Sequence, residues 1–486
     1  MESCQGRSVT MASTNLTIAR GNDESLPITY GRLMDFPDDP VACMRALNAR
    51  HGNVCAMEEQ GQRIYFVFGP ELNHQVLSDG NHFHSQFFAI RGSRNSPQRR
   101  LSSGLLSMNG ETHKRNRRLV MDAFMKKAIL NYVPLIRHEV RSLLSTWSPG
   151  TERDISRDMT DFMLRLTSTI LFGIDQPEVA YRIGHMIDQW VHLNHEIGMG
   201  AFIADSQIAN RYTELLSDAG KVEAELLHMI RLRKEQSDGT DALSRLIHAH
   251  DGEGSISDEE LVGQVALMFA AAHLTTAHSL TWTLFLLAQH PTAMSQLHQE
   301  LVTEMDSEFP SLEQIERLSV VERTIKESMR ILPASSYSQR VTAAHVDLGP
   351  FKLAPGAGIV FSQFITHHMA SIFPDPDGFQ PDRWLRISPS PYQYLPFGAG
   401  PRMCLGASLA MLIMKTTLPA LLQQFKVTVV PNSEVSTKVI STMLGPTTSV
   451  MMRIDRQDGR FQSQPVRGNI HDLVDLREVL PARRAA

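Results

Sequence analysis

Residues 397–406 read Phe-Gly-Ala-Gly-Pro-Arg-Met-Cys-Leu-Gly, a glycine-rich approach to a single cysteine, Cys404. Gly398 and Gly400 permit tight turns that bring backbone close to a large flat ligand, and Gly406 does the same just past the sulfur. From 407 to 425 the chain is apolar on most faces and rich in Leu, Ala and Met, which predicts a helix directly after the loop. Free N–H groups at the start of that helix point at the sulfur and favour its thiolate. A thiolate binds iron, so the segment reads as the cradle of a cysteine-ligated haem. The competing reading is a buried structural cysteine, a common fate for this residue type.

Phe397, Gly400, Arg402, Cys404 and Gly406 meet every fixed position of the haem-binding signature of the cytochrome P450 family, which the segment closely resembles. The resemblance implies haem b, iron protoporphyrin IX, with the Cys404 thiolate as axial ligand. It also implies roles elsewhere. Glu327 and Arg330, three apart on a predicted helix and able to meet on one face, match the family's Glu-x-x-Arg pair, and Arg383 looks like the third member of its buried network. That network is structural. His113 and Arg117, four apart on a helix, match propionate-holding positions together with Arg340 and Arg402, since two propionates call for cations around them.

The family's long helix carries Ala or Gly, Gly, any residue, Asp or Glu, then Thr over the iron. Ala271, Ala272, His273, Leu274 and Thr275 stand there: the threonine is kept, but Leu274 replaces the acid and Ala272 the glycine. A leucine neither donates a proton nor orders water. His273 is a poor stand-in, because one step along a helix turns the side chain about 100° away. The Thr275 hydroxyl can also bond back to its own helix. Phe87, Phe88, Tyr337 and Leu444 are the expected substrate contacts in a mostly apolar pocket.

The elements that must position these residues are mainly helical. Helical patterns cover 111–125, 136–147, 159–171, 210–234, 257–290, 315–331 and 407–425, and short strand-like pieces occur at 54–57, 63–68, 346–353 and 357–361. Gly61 marks the turn of a first hairpin. Ser257 followed by Asp258, Glu259 and Glu260 is a capping box with acids at the positive end, and Pro291 stops the helix. At 1.5 Å per residue such a rod is roughly 50 Å long and crosses a whole domain. The expected fold is therefore mainly α with a smaller β lobe, and the resemblance makes it the P450 fold, with haem between the long central helix and the cysteine-loop helix.

The 486 residues, 42% hydrophobic and 20% charged, suit a globular chain with a large core, and the net charge of −5 speaks against nucleic acid as a partner. Four cysteines without paired spacing, Cys4, Cys43, Cys55 and Cys404, point to a reducing compartment, here the cytoplasm. Residues 261–288 are long enough to cross a bilayer, but Gln264, His273, Thr275, Thr276, His278, Ser279, Thr281 and Thr283 suit a cavity-lining helix, so no membrane span is expected. Three segments follow: a mobile polar tail at 1–26, one catalytic domain at 27–455, and a C-terminal surface extension at 456–486.

The family likeness makes the expected protein a monomeric haem-thiolate monooxygenase acting on an apolar lipid, terpene, steroid or polyketide. Its electrons come from a separate ferredoxin or flavodoxin-type donor. Leu274 keeps open a peroxide-using or rearranging enzyme. A haem protein that binds a ligand without turnover is the third reading.

Overall fold

The central helix, Asp258–Gln289, sets the frame of the molecule. The Ser257 hydroxyl accepts from the Glu260 N–H and the Glu260 carboxylate accepts from the Ser257 N–H, closing the capping box read from the sequence. The two halves of this helix enter different cores. Leu261–Ala270 residues such as Leu261, Val265 and Phe269 pack with Trp190 and Leu226 from the helices Pro177–Gly200 and Ser206–Glu235. Ala277, Leu280, Leu284 and Leu287 pack with Leu418 and Leu421 of the cysteine helix Ala407–Gln424 and with Ile325 of Ser319–Ile331. Burial of this much aliphatic surface, at about 25 cal/mol per Å², is what holds a nearly uncharged helix inside the protein. The computed structural model describes residues 26–85, 90–173, 177–200, 206–235, 239–251 and 254–477 of the chain.

The β lobe is a six-stranded sheet in the order Ile28–Tyr30, Val54–Glu59, Gln62–Val67, Gly358–Phe361, Ser338–Thr342, Phe83–His84. Its expected first hairpin is present: Val54 pairs with Val67 and Glu59 with Gln62, and the turn places Gln60 and Gly61 at positive φ, 50° and 82°. Strand Ser338–Thr342 brings Arg340 into this sheet opposite Ile359.

Several expectations shift. The helix read as 136–147 starts at Lys126 and runs to Ser145, with Pro134 inside it. The helix read as 315–331 is two, Leu312–Arg317 and Ser319–Ile331, broken at Leu318, whose ψ of 71° is not helical. Pro177–Gly200 carries no expectation from the sequence, although Ala180, Ile183, Ile187, Trp190 and Ile197 form a buried stripe along it at helical spacing. The C-terminal extension runs over the surface but is anchored: Ile470 and Val474 are buried in the main core, and the Asp475 N–H donates to Asp377 O at 2.8 Å. Regular apolar spacing is absent there, which is why the sequence shows only charge.

Candidate active site

The cysteine loop folds back on itself. The Cys404 N–H donates to Phe397 O at 2.9 Å and the Met403 N–H to Gly400 O at 3.0 Å. Gly400 sits at φ 69°, and a Cβ there would collide with the Leu77 carbonyl, so only glycine fits. Gly398, at φ 66°, has open space around it. Gly406 differs from the expectation: its φ of −80° suits any residue, and a Cβ would lie an ordinary 3.8 Å from the sulfur. Its contribution is the N–H. Burial raises the Cys404 thiol, while the N–H groups of Gly406 and Ala407 and the Arg117 charge pull it back toward the thiolate. Cys404 nonetheless keeps accessible surface, unlike Cys55, which is buried. Cys43 and Cys55 are pushed up to about 11 and about 12, chiefly by burial, and stay inert thiols in the core.

Beside the loop stands a cluster of cations without an anion. His113 is buried and held down to about 4 by burial and by Arg402, Arg117 and Arg340. Arg340 and Arg402 are each lowered to about 10, first by burial and then by a neighbouring arginine. Arg117 donates to Met403 O at 2.7 Å, Arg402 to Asn109 Oδ1 at 2.6 Å and to Met108 O, and Arg340 to Gln339 O at 2.8 Å while lying over the Phe361 ring. Among the described residues none of the three arginines pairs with a carboxylate. Packing like charges together without a counter-ion is unfavourable. Two haem propionates would relieve it, and the residues present fit haem at this place.

Behind the loop, Arg330 grips Glu327 with both arms, Nε to Oε2 at 3.0 Å and Nη2 to Oε1 at 2.9 Å, and Arg383 Nε reaches Oε1 at 2.9 Å. All three are buried. Trp384 Nε1 and the Gln380 N–H complete the carboxylate's partners at 3.1 and 3.0 Å. The remaining guanidinium N–H groups go to carbonyls of His367, Pro374, Asp375, Pro376 and Gly378. His367 extends the network to the cysteine loop: Nδ1 donates to Arg330 O at 3.2 Å and Nε2 accepts from the Leu395 N–H at 2.7 Å. Burial and Arg330 push its imidazole down to about 3, which keeps Nε2 free to accept.

Above the loop the central helix opens a window. From 261 to 289 every residue is buried except Met268, Ala271, Ala272, Leu274, Thr275 and His278. Their spacing marks one helix face with Leu274 at its edge. Thr275 Oγ1 donates to Ala271 O at 2.8 Å, the back-bond anticipated from the sequence. His273 points elsewhere, into the protein, with Nε2 2.8 Å from Asp188 Oδ1 and Nδ1 bonded to Phe269 O. Leu405, next to Cys404, packs on the core built around the first half of this helix.

Two of the expected substrate contacts are buried. Tyr337 is buried, its hydroxyl donates to Ser441 O at 2.5 Å and its ring meets Phe36 edge-on at 5.1 Å. Leu444 is buried in the main core and its carbonyl accepts from Trp282 Nε1 at 3.3 Å. Both help to hold the fold. Phe87 and Phe88 lie outside the described residues. Sequence reasoning missed Asn109, Trp384 and His367, and placed His278 only among the polar residues that suit a cavity-lining helix. Trp384 adjoins Arg383 and could have been found by asking what closes a buried carboxylate; Asn109 and His367 carry no local signal.

This fold and a cysteine-centred site with an unpaired cation cluster define a haem-thiolate enzyme. The chain belongs to the cytochrome P450 family, whose sequence model matches residues 26–452. It is similar to cyclooctatin synthase of Streptomyces melanosporofaciens, 28% identical over 432 residues, 86% of this chain and 91% of that protein. Cyclooctat-9-en-7-ol 5-monooxygenase of the same organism is 29% identical over 398 residues, 80% of this chain and 84% of the relative. Pentalenene oxygenase of Streptomyces avermitilis is 28% identical over 425 residues, covering 84% and 91%. A solved retinoic acid-bound cyanobacterial P450 shares the fold at a TM-score of 0.76 and 21% identity, over 89% of this chain and 99% of that one.

Proposed function

We propose that the protein is a terpenoid monooxygenase. The observation that carries the reading is the window itself, where alanine, leucine and methionine dominate the open face of an otherwise buried helix. Such a surface welcomes a hydrocarbon skeleton and offers few polar groups. The names of the relatives, a cyclooctatenol monooxygenase and a pentalenene oxygenase, support the same substrate class.

Haem on a thiolate, when bound, supplies the dioxygen activation and the oxidising power that C–H bonds require. In the overall reaction one oxygen atom enters a C–H bond and the other leaves as water, with two electrons and two protons consumed. Cys404 would hold the iron and His113, Arg117, Arg340 and Arg402 the propionates, while Glu327, Arg330 and Arg383 fix the loop from behind. Thr275 keeps a hydroxyl in the window. Leu274 gives no acid, so protons reach the window through water or through the substrate's own polar groups.

Electrons come from a separate acidic ferredoxin or flavodoxin. Arg118, Lys126 and Lys127 are exposed beside Met121 and Met125, a basic and apolar face on the helices flanking Arg117. Lys114 and Arg115 on the same helix are already paired with Glu111 and Asp251. A cytoplasmic monomer fits this supply. The test is a haem-loaded protein given pentalenene or a fused-ring diterpene with a ferredoxin system under labelled dioxygen. One labelled oxygen in the product supports the reading, and product formed only from steroids or fatty acids contradicts it. Leu274 favours a second reading, peroxide-driven oxidation, which requires equal product without reductant.

A further inference from the structure

His278 belongs to the open face of the central helix, seven residues after Ala271 and three after Thr275. It is a polar ring among alanines, leucine and methionine. Among the described residues neither of its nitrogens makes a hydrogen bond: Nδ1 is enclosed and unpartnered, and Nε2 is the nitrogen that keeps accessible surface.

The ring is accommodated by design of the backbone opposite. Gly445 lies on strand Met443–Pro446, and a Cβ there would come within 2.8 Å of His278 Nε2 and 2.9 Å of Nδ1. Trp282, one turn along the helix, donates to Leu444 O at 3.3 Å and fixes that strand against the helix. The imidazole is thus clamped between a helix and a glycine.

Burial and the nearby His273 push the imidazole down to about 4, so at neutral pH it carries one proton. Placing that proton on enclosed Nδ1 would strand a donor with no acceptor, which is costly. On Nε2 it leaves only a lone pair unpaired and puts the N–H on the nitrogen that keeps accessible surface. Such a low basicity also makes the group a poor carrier of protons and a good neutral donor.

We propose that His278 is a specificity-determining residue whose Nε2–H donates to an oxygen already present on the substrate, a hydroxyl or carbonyl of a terpenoid alcohol or ketone. The assignment rests on the terpenoid reading and sharpens it: a pure hydrocarbon leaves the donor unpaired and is disfavoured on the order of ten-fold or more. The oxygen bound at His278 sets which carbon faces the haem.

The haem-loaded full chain is titrated with matched pairs, cedrol against cedrane and menthol against p-menthane, following the haem spectral shift and calorimetric heat. The expected result is that the alcohol binds about ten-fold or more tightly than its parent in at least one pair. In His278→Phe the alcohol weakens and the hydrocarbon does not, while His278→Gln restores part of the preference. Gly445→Ala, which displaces the ring without altering it, should also erode the preference, and it serves where the Phe variant fails to fold. Equal affinities in wild type, or a preference that survives in both His278→Phe and Gly445→Ala, would overturn the assignment alone. Binding of no terpenoid of either kind would overturn the terpenoid reading and the His278 assignment with it.

Discussion

Cys404 owes its chemistry to a balance that the surrounding residues set one by one. Burial disfavours its charge, and two helix N–H groups and one arginine favour it; iron completes the bias by binding the thiolate. Glu327 is the corresponding point in the scaffold, a single carboxylate on which two buried guanidiniums depend. Replacing it by Gln leaves Arg330 and Arg383 as uncompensated buried charges, a loss of about 3–5 kcal/mol. Denaturant unfolding should show that loss in Glu327→Gln together with poor haem retention, whereas a shift within experimental error would deny the network its role. Leu274 makes the opposite case, a residue whose chemistry is missing. Leu274→Glu should raise coupling of ferredoxin-driven electron use to product and scarcely change a peroxide-driven assay; no gain in coupling would place the proton route elsewhere. Motif residues were legible because their spacing is fixed by local geometry, as with Glu327 and Arg330 on one helix face. The burial of Tyr337 and Leu444, and the partial openness of His278 among the polar residues of the central helix, were not legible, because the direction a side chain faces is decided by partners far away in the chain.

Helices with strong end signals were legible almost to the residue. Ser257, Glu260 and Pro291 bounded the central helix within one position of its observed Asp258–Gln289. Helices without such signals were not: Pro134 hid the first ten residues of Lys126–Ser145, since proline breaks the pattern on paper while burial of Ile129, Tyr132 and Ile136 sustains the helix in the fold. One inter-helix clamp is specific enough to test. Lys415 on the cysteine helix lies 2.6 Å from Glu322 on the helix that carries Glu327, and Lys326 lies 2.7 Å from the same carboxylate. Burial would raise Glu322, but the hydrogen bonds from the two lysines win and hold it at about 2, against its ordinary 4.5. A depressed carboxylate contributes stability that is whole above 4.5 and drains away as pH falls toward 2. The stability advantage of wild type over Glu322→Gln, read as the difference in thermal midpoints, should therefore shrink on acidification below 4.5. A difference that stays flat or grows would show that the clamp is not formed.

Taken entire, the molecule wraps two apolar cores around one helix and, past its exposed first turn, leaves that helix uncovered only along the face from Met268 to His278. The family match ends at 452, yet Ile470 and Val474 beyond it are built into the main core, a contribution that the charged composition of this stretch concealed. Electron delivery is a property of the whole surface. Charge reversal at Arg118, Lys126 and Lys127 should slow reduction by an acidic ferredoxin, and added salt should slow wild type in the same way, because the Debye length shrinks from about 10 Å at 0.1 M to about 3 Å at 1 M. Reduction indifferent to both would move the docking face. The central claim, that one cysteine ligates haem iron and everything else is arranged around it, is tested most directly by the carbon monoxide spectrum of the reduced holoprotein. Wild type and Ser replacements of Cys4, Cys43 and Cys55 should all show the red-shifted carbon monoxide band of a thiolate-ligated haem, and Cys404→His should lose it. Retention of that band in Cys404→His, or its loss in any of the three Ser variants, would contradict the account.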